Sequence, residues 1–172
     1  MHAIQFGYGS KNSMTEFPPF SGQCNCGDVR YQMAADPMIV HCCHCSWCQR
    51  ETGSAFAVNA LVELDQITVL SGTIEPRTLT SASGQGQRLH GCSNCGTTLW
   101  SHYAFGNIGE KVAFVRVGTL DQGHRIEPDI HIYTSSKQSW FALPSEAQTY
   151  PEYYRAKEVW SQSALSRRAA LT

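Results

Sequence analysis

The 172-residue chain has no apolar run approaching the roughly 18 residues of a membrane span, and it has almost no excess of charge. The first absence argues against a transmembrane helix. Thirteen Lys and Arg face fourteen Asp and Glu, a formal charge of -1, so no general phosphate-binding surface for nucleic acid is expected. The opening residues Met1 to Lys11 lack both the basic and the apolar stretch of a secretion signal, which places the protein in the cytoplasm on this reading. Helical periodicity is scarce before Pro151, and there is no internal repeat. What the chain has in plenty is cysteine, eight residues in a length that can build a hydrophobic core unaided. In a reducing compartment such a count reads first as metal ligation or catalysis, and only then as disulfides.

Residues 1–20 mix Gly7, Gly9, Ser10, Asn12 and Ser13 with Pro18 and Pro19, and read as an N-terminal arm. Residues 21–154 read as one cysteine-bearing domain, and 155–172 as a helix and tail. Alternation at Val29, Tyr31 and Met33 predicts a strand that Asp36-Pro37 interrupts. Val62, Leu64, Ile67 and Val69 predict a second strand region ending at Ser71-Gly72, and the β-branched run Val112 to Val117 predicts a third. Ile130 and Ile132, alternating with His131 and Tyr133, predict a fourth. Between Thr80 and Gln87 the composition predicts a mobile, exposed loop. Ala156, Val159, Trp160 and Ala164 recur at helical spacing and predict one C-terminal amphipathic helix. The fold class expected from this succession of short strands is mainly β.

Four cysteines form two close pairs, Cys24-Asn25-Cys26-Gly27 and Cys92-Ser93-Asn94-Cys95-Gly96. Each pair sits in a turn ending in Gly, the pattern of a zinc knuckle, and two knuckles together complete a tetrahedral shell. Cys24, Cys26, Cys92 and Cys95 are therefore expected to hold a structural zinc. The other four lie in His41-Cys42-Cys43-His44-Cys45-Ser46-Trp47-Cys48. Cys43, Cys45 and Cys48 combine C-x-C with C-x-x-C spacing, which brings three thiolates together from one loop. Either the fourth position of that zinc is open, as in a catalytic site, or Cys42, His41 or His44 closes it and the ion is structural. An extended backbone points Cys42 and His44 away from Cys43 and Cys45, which favours the open site. Three thiolates make a soft ion of low Lewis acidity, suited to binding a substrate thiol as thiolate.

Three segments, Gly22-Gln23-Cys24-Asn25-Cys26-Gly27-Asp28-Val29-Arg30-Tyr31, Cys43-His44-Cys45-Ser46-Trp47-Cys48-Gln49-Arg50 and Cys92-Ser93-Asn94-Cys95-Gly96, resemble the ordered motifs of one family. It is the glutathione-dependent formaldehyde-activating enzyme family, which also includes centromere protein V. Gly118-Thr119-Leu120-Asp121, Pro128, His131-Ile132, and Lys137 with Trp140 are similar to that family's C-terminal half, so the resemblance runs from about Gly22 to Tyr154. It implies a β-tent fold of twisted antiparallel sheets. It also implies two zinc ions, a structural one on Cys24, Cys26, Cys92 and Cys95 and a catalytic one on Cys43, Cys45 and Cys48. The activity implied is condensation of glutathione with formaldehyde to S-hydroxymethylglutathione, classed as a carbon-sulfur lyase for the reverse direction.

His44, between two expected ligands, is a candidate proton shuttle or else a hydrogen-bonded loop residue. His131 reads as a satisfied sheet residue and Cys42 as an inert buried thiol. Arg50, Arg88 and Lys137 are candidate partners for the carboxylates of a glutathione-like thiol, and Trp47 and Phe56 candidate pocket walls. The function expected is a zinc-dependent carbon-sulfur lyase acting on a small thiol-aldehyde adduct. The alternative is a two-zinc binding module docking a protein or nucleic acid.

Overall fold

The computed structural model describes residues 19–81, 86–103 and 106–172. Ten strands and three short helices follow in the order β1 (Phe20–Gln23), β2 (Arg30–Met33), β3 (Ile39–Cys43), α1 (Ser46–Thr52), β4 (Ala57–Glu63), β5 (Ile67–Ser71) and β6 (Ile74–Leu79). After these come β7 (Gln87–Cys92), β8 (Thr98–Tyr103), β9 (Val112–Arg116), β10 (Ile130–Ile132), α2 (Ala156–Val159) and α3 (Gln162–Ala169). The mainly β expectation holds. A small sheet runs β1-β2-β5, and a seven-stranded sheet runs β10-β3-β4-β9-β8-β7-β6. Pairing among these strands is antiparallel except at one edge, where β10 lies parallel to β3. Pro76 lies in β6, the opposite edge of the sheet, where a proline is tolerated within a strand.

The central strands are buried on both faces, which explains their near-continuous apolar runs. Val40, Ala60, Val62, Ala113 and Val115 pack with Phe20, Tyr31, Met33 and Trp100 in the core shared with the small sheet. Their neighbours Ile39, Leu61, Val112 and Phe114 turn the other way and pack with Ile130, Ile132, Tyr154 and Ala164. The C-terminal segment thus covers one face of the large sheet and the small sheet covers the other.

Four expectations change in detail. The arm lies outside the described residues up to residue 18, and Phe20, assigned to it from sequence, is buried and opens β1. The region Val62 to Ser71 is not one strand. A single turn of 3-10 helix at Leu64–Gln66 moves the chain from β4 in the large sheet to β5 in the small one. Of the loop expected at 80–87, residues 82–85 lie outside the described set, while Gln87 is buried at the start of β7. The single C-terminal helix is two, because Ser161 caps a new helix, its hydroxyl accepting from the Ala164 amide at 3.2 Å. Among the described residues no helix is long and apolar enough to cross a membrane.

Two polar anchors hold the C-terminal segment down. Trp160 Nε1 donates to Tyr154 Oη at 2.7 Å, leaving the Tyr154 hydroxyl to donate to His41 Nε2 at 2.5 Å. His41 is the acceptor because burial pushes its pKa down to about 3. Arg167 reaches from α3 with Nε and Nη2 to both carboxylate oxygens of Glu63, and its third nitrogen, Nη1, donates to Asp36 O at 2.9 Å. Burial opposes ionisation of Glu63, but Arg167 more than offsets it and holds the carboxyl below the ordinary value of 4.5.

Tyr154→Phe is expected to leave His41 Nε2 buried and unpaired, costing about 1–3 kcal/mol in chemical denaturation with the fold retained. Because the folded-state pKa of Glu63 is depressed, its contribution is complete above the ordinary carboxylate value and disappears as pH falls through the lower folded value. The stability difference between wild type and Arg167→Ala should therefore shrink as unfolding is measured at successively more acid pH.

Candidate metal centres

Among the described residues, three groups of side chains bring their donor atoms within 4.8 Å of one another. The first is Cys24, Cys26, Cys92 and Cys95. Gly27 N donates to Cys24 O at 3.1 Å and Gly96 N to Cys92 O at 2.9 Å, closing two tight turns. Both glycines adopt left-handed backbone, with φ of 76° and 73°, which a side chain would strain. Cys24 N reaches Val29 O and Cys92 N reaches Thr97 O, so each turn is also tied across its base. Cys24 Sγ lies 3.4 Å from Cys26 Sγ, and Cys26 Sγ lies 3.8 Å from Cys92 Sγ. Zinc bonds of about 2.3 Å to sulfur in a tetrahedron separate the sulfurs by about 3.8 Å, so the group fits such an ion. Amide donors are already aimed at the sulfurs, Val29 N at Cys24 and Asn94 Nδ2 at Cys26. Hydrogen bonds from the Thr97 hydroxyl and backbone hold Cys95 down at about 5.

Cys43, Cys45 and Cys48 form the second group. Cys43 ends β3. Cys45 is the N-cap of α1, its sulfur accepting from Cys48 N at 3.4 Å, and Cys48 lies in the first turn. A helix N-cap presents free amides to an acceptor, and here the acceptor is sulfur. Bonds from the Cys43 and Cys48 thiols and from the Cys48 and Trp47 amides hold Cys45 far below the usual thiol range. The same shared bonds push Cys43 up. This donor set is that of a soft, thiophilic ion. Cys43 and Cys48 are buried, whereas Cys45 is half-buried beside exposed Ser46 and Trp47.

The third group is Cys42, His44 and His131. His44 Nε2 lies 3.6 Å from Cys42 Sγ and 2.9 Å from His131 Nδ1. Phe56 and Phe141 pack on the His44 ring at centroid distances of 5.4 Å each. Burial, with repulsion from His131 and Lys137, pushes His44 down to about 4. Burial raises the Cys42 thiol to about 12, with a further push from Cys48.

The family model described as glutathione-dependent formaldehyde-activating enzyme matches residues 19–136. The chain belongs to that family. A protein of Penicillium rubens, provisionally named a glutathione-dependent formaldehyde-activating enzyme, is 23% identical over 146 residues, 84% of this chain and 75% of the relative. A Talaromyces marneffei protein with the same provisional name is 24% identical over 134 residues, 77% of this chain and 71% of the relative. A crystal structure of a Rhodobacter sphaeroides protein aligns at 19% identity with a TM-score of 0.43, covering 63% of this chain and 91% of that one.

Within this formaldehyde-activating family member, the loop that carries the three-sulfur group is pinned at several points. Gln49 Nε2 donates to His44 O at 2.6 Å and to Ser136 O at 2.9 Å, while Gln138 Nε2 donates to Gln49 Oε1 at 2.7 Å. His44 therefore joins the loop through its carbonyl, and its imidazole turns to Cys42 and His131, away from the sulfurs on either side. Of the candidate carboxylate partners, Arg88 is paired with Glu110 at 2.7 Å and Arg50 is exposed. Lys137 Nζ donates to Phe141 O at 3.0 Å. Phe56 packs on His44, and Trp47 is 36% exposed at the start of α1.

The sequence reading missed Arg116 and Glu51. Arg116 Nη2 meets Glu51 Oε2 at 2.7 Å with both side chains under 10% exposed, Arg116 Nη1 donates to Asn59 Oδ1, and Thr98 Oγ1 donates to Glu51 Oε1 at 2.8 Å. Neither residue sits in a cysteine motif, so local spacing gives no signal. The network fastens α1 to β4, β8 and β9 beside Cys48. With Thr52, Phe56, Arg77 and Thr97 they wall a groove of about 510 Å³. Arg116→Ala should cost about 3–5 kcal/mol in denaturant unfolding, because it strands the Glu51 charge in the interior. Amide exchange across α1 should speed up in the same variant.

Proposed function

We propose that the protein is a zinc-dependent carbon-sulfur lyase that acts on a small thiol-aldehyde adduct of the S-hydroxymethylglutathione type. The observation that carries this reading is the three-donor group Cys43, Cys45 and Cys48 on one pinned loop, in a chain of this family. Cys24, Cys26, Cys92 and Cys95 would hold a second, structural zinc between the knuckles. Residues 21–154 would form the catalytic unit, with 155–172 sealing one face of its large sheet.

A zinc held by Cys43, Cys45 and Cys48 supplies, when bound, a position at which a substrate thiol is stabilised as thiolate. The side of approach is set by Cys45, the least buried of the three. Cys43 and Cys48 are walled by protein, which keeps water from the rear of the group. In condensation the thiolate sulfur forms a bond to the carbonyl carbon, and the carbonyl oxygen takes up a proton. Lysis breaks the same carbon-sulfur bond and releases that proton. Tyr133 is suited to hold the proton at Oη. Burial and the neighbouring Cys43 and Cys45 raise its pKa, so the phenol stays protonated. Its backbone is held at φ 56°, an uncommon conformation for a bulky residue that fixes where the ring leaves the chain.

Cys45→Ser should reduce exchange between labelled formaldehyde and glutathione, read from NMR line broadening, to the rate of the unaided reaction, with circular dichroism unchanged. Cys95→Ser should instead lose cooperative unfolding. If the two variants behave alike, the division into a catalytic and a structural group is wrong.

A further inference from the structure

The parallel pairing of β10 with β3 sets His131 directly beside Cys42. His44 follows two residues after Cys42, and its amide donates to Ile132 O at 3.0 Å, which extends the pairing by one step. Cys42, His44 and His131 consequently leave the sheet on one face, opposite to Cys43. We propose that these three side chains form a third metal site, one that binds a divalent transition ion through one sulfur and two imidazole nitrogens.

The distances suit such an ion. Bonds of about 2.3 Å to sulfur and about 2.05 Å to nitrogen in a tetrahedral shell separate sulfur from nitrogen by about 3.6 Å and nitrogen from nitrogen by about 3.3 Å. The Cys42 to His44 separation is 3.6 Å, and the imidazoles, at 2.9 Å, need part by only about 0.4 Å. The donor types exclude calcium and magnesium, which take oxygen, and select zinc, cobalt or copper.

Burial decides between an ion and a molecular ligand. Cys42, His44 and His131 are 1%, 0% and 7% exposed, and Phe56 and Phe141 close over the rings. A thiol or aldehyde does not reach Cys42 through that wall, whereas a desolvated ion does fit within the donors. Hydrogen bonding alone accounts poorly for the cluster. The Cys42 sulfur and the His131 imidazole converge on a single nitrogen, His44 Nε2, while His44 Nδ1 is buried with no partner among the described residues. The nearby Lys137 ammonium opposes a cation, and its hydrogen bonds go to the carbonyls of Gln138 and Phe141. The site stands independently of the lyase reading, since it shares no donor with the sulfur-only groups.

The full chain, loaded with cobalt or zinc under reducing conditions and freed of excess ion, provides the test by metal analysis. Cys42→Val and His131→Asn should each bind one ion per chain fewer than wild type, and Cys45→Ser combined with Cys42→Val should lose one more than Cys42→Val alone. Folded variants that retain the wild-type metal content overturn the proposal. If a variant does not fold, cadmium NMR of the wild-type chain decides. A resonance from a mixed sulfur and nitrogen site, apart from the all-sulfur resonances, supports the site, and its absence at saturating cadmium overturns it.

Discussion

Successive side chains on a strand must leave on opposite faces, and at Cys42–Cys43 that rule divides the chemistry of this protein. Cys43 joins Cys45 and Cys48 on the face covered by the C-terminal segment. Cys42 meets His44 and His131 on the other. A slip of one residue in the β3 to β4 register would exchange the two sets and leave neither with its partners. The register is secured by β3 being buried along its whole length, with Ile39 and Val40 committed to opposite cores. Packing two residues upstream thus determines which sulfurs can share an ion.

The helix after β3 is short, and its position depends on more than its own hydrogen bonds. Seven residues are too few to persist as an isolated helix in water. Cys45 caps its start, Gly53 in left-handed backbone ends it, and the Glu51 to Arg116 pair holds its side against the sheet. A buried ion pair rarely adds net stability over apolar packing, but it is intolerant of losing either partner. That intolerance makes it useful for orientation. Cys48 lies one turn before Glu51, so whatever fixes Glu51 also fixes the third sulfur of the group.

The parts of the site that are local in sequence were legible there. C-x-C-G and C-x-x-C-G each specify a turn and two donors within five residues, and the alternation at Cys42–Cys43–His44 forecast the separation of the two donor sets. The parts that depend on distant pairing were not. His131 reads as an ordinary strand residue because nothing near it shows that β10 will lie beside β3, 87 residues from His44. Arg116 lies in a run that reads as core strand, and its charge matters only once α1 delivers Glu51. The C-terminal periodicity misled for a physical reason. Trp160 and Ala164 do face the core, but Ser161 competes for the backbone and restarts the helix between them.

The small sheet shows why the four-sulfur group matters beyond its own chemistry. Its edge strand β5 is largely exposed, with Val69 and Leu70 in solvent, so three short strands bury little apolar area by themselves. Contact with the large sheet comes through Tyr31, whose ring meets Trp100 edge-on at 5.8 Å and whose hydroxyl bonds Thr119 Oγ1 at 2.7 Å. It also comes through Cys24 and Cys92, buried at the end of the same core. Cys24 leads out of β1 and Cys92 ends β7, so an ion shared by their turns would cross-link the two sheets over 66 residues of chain, measured from Cys26 to Cys92. Metal binding of this kind is folding free energy, on the order of 10 kcal/mol for small structural zinc sites. Placed at the junction of the two sheets, it would hold the small sheet over the face of the large sheet that carries Val40, Ala60, Val62, Ala113 and Val115, and so keep that core closed.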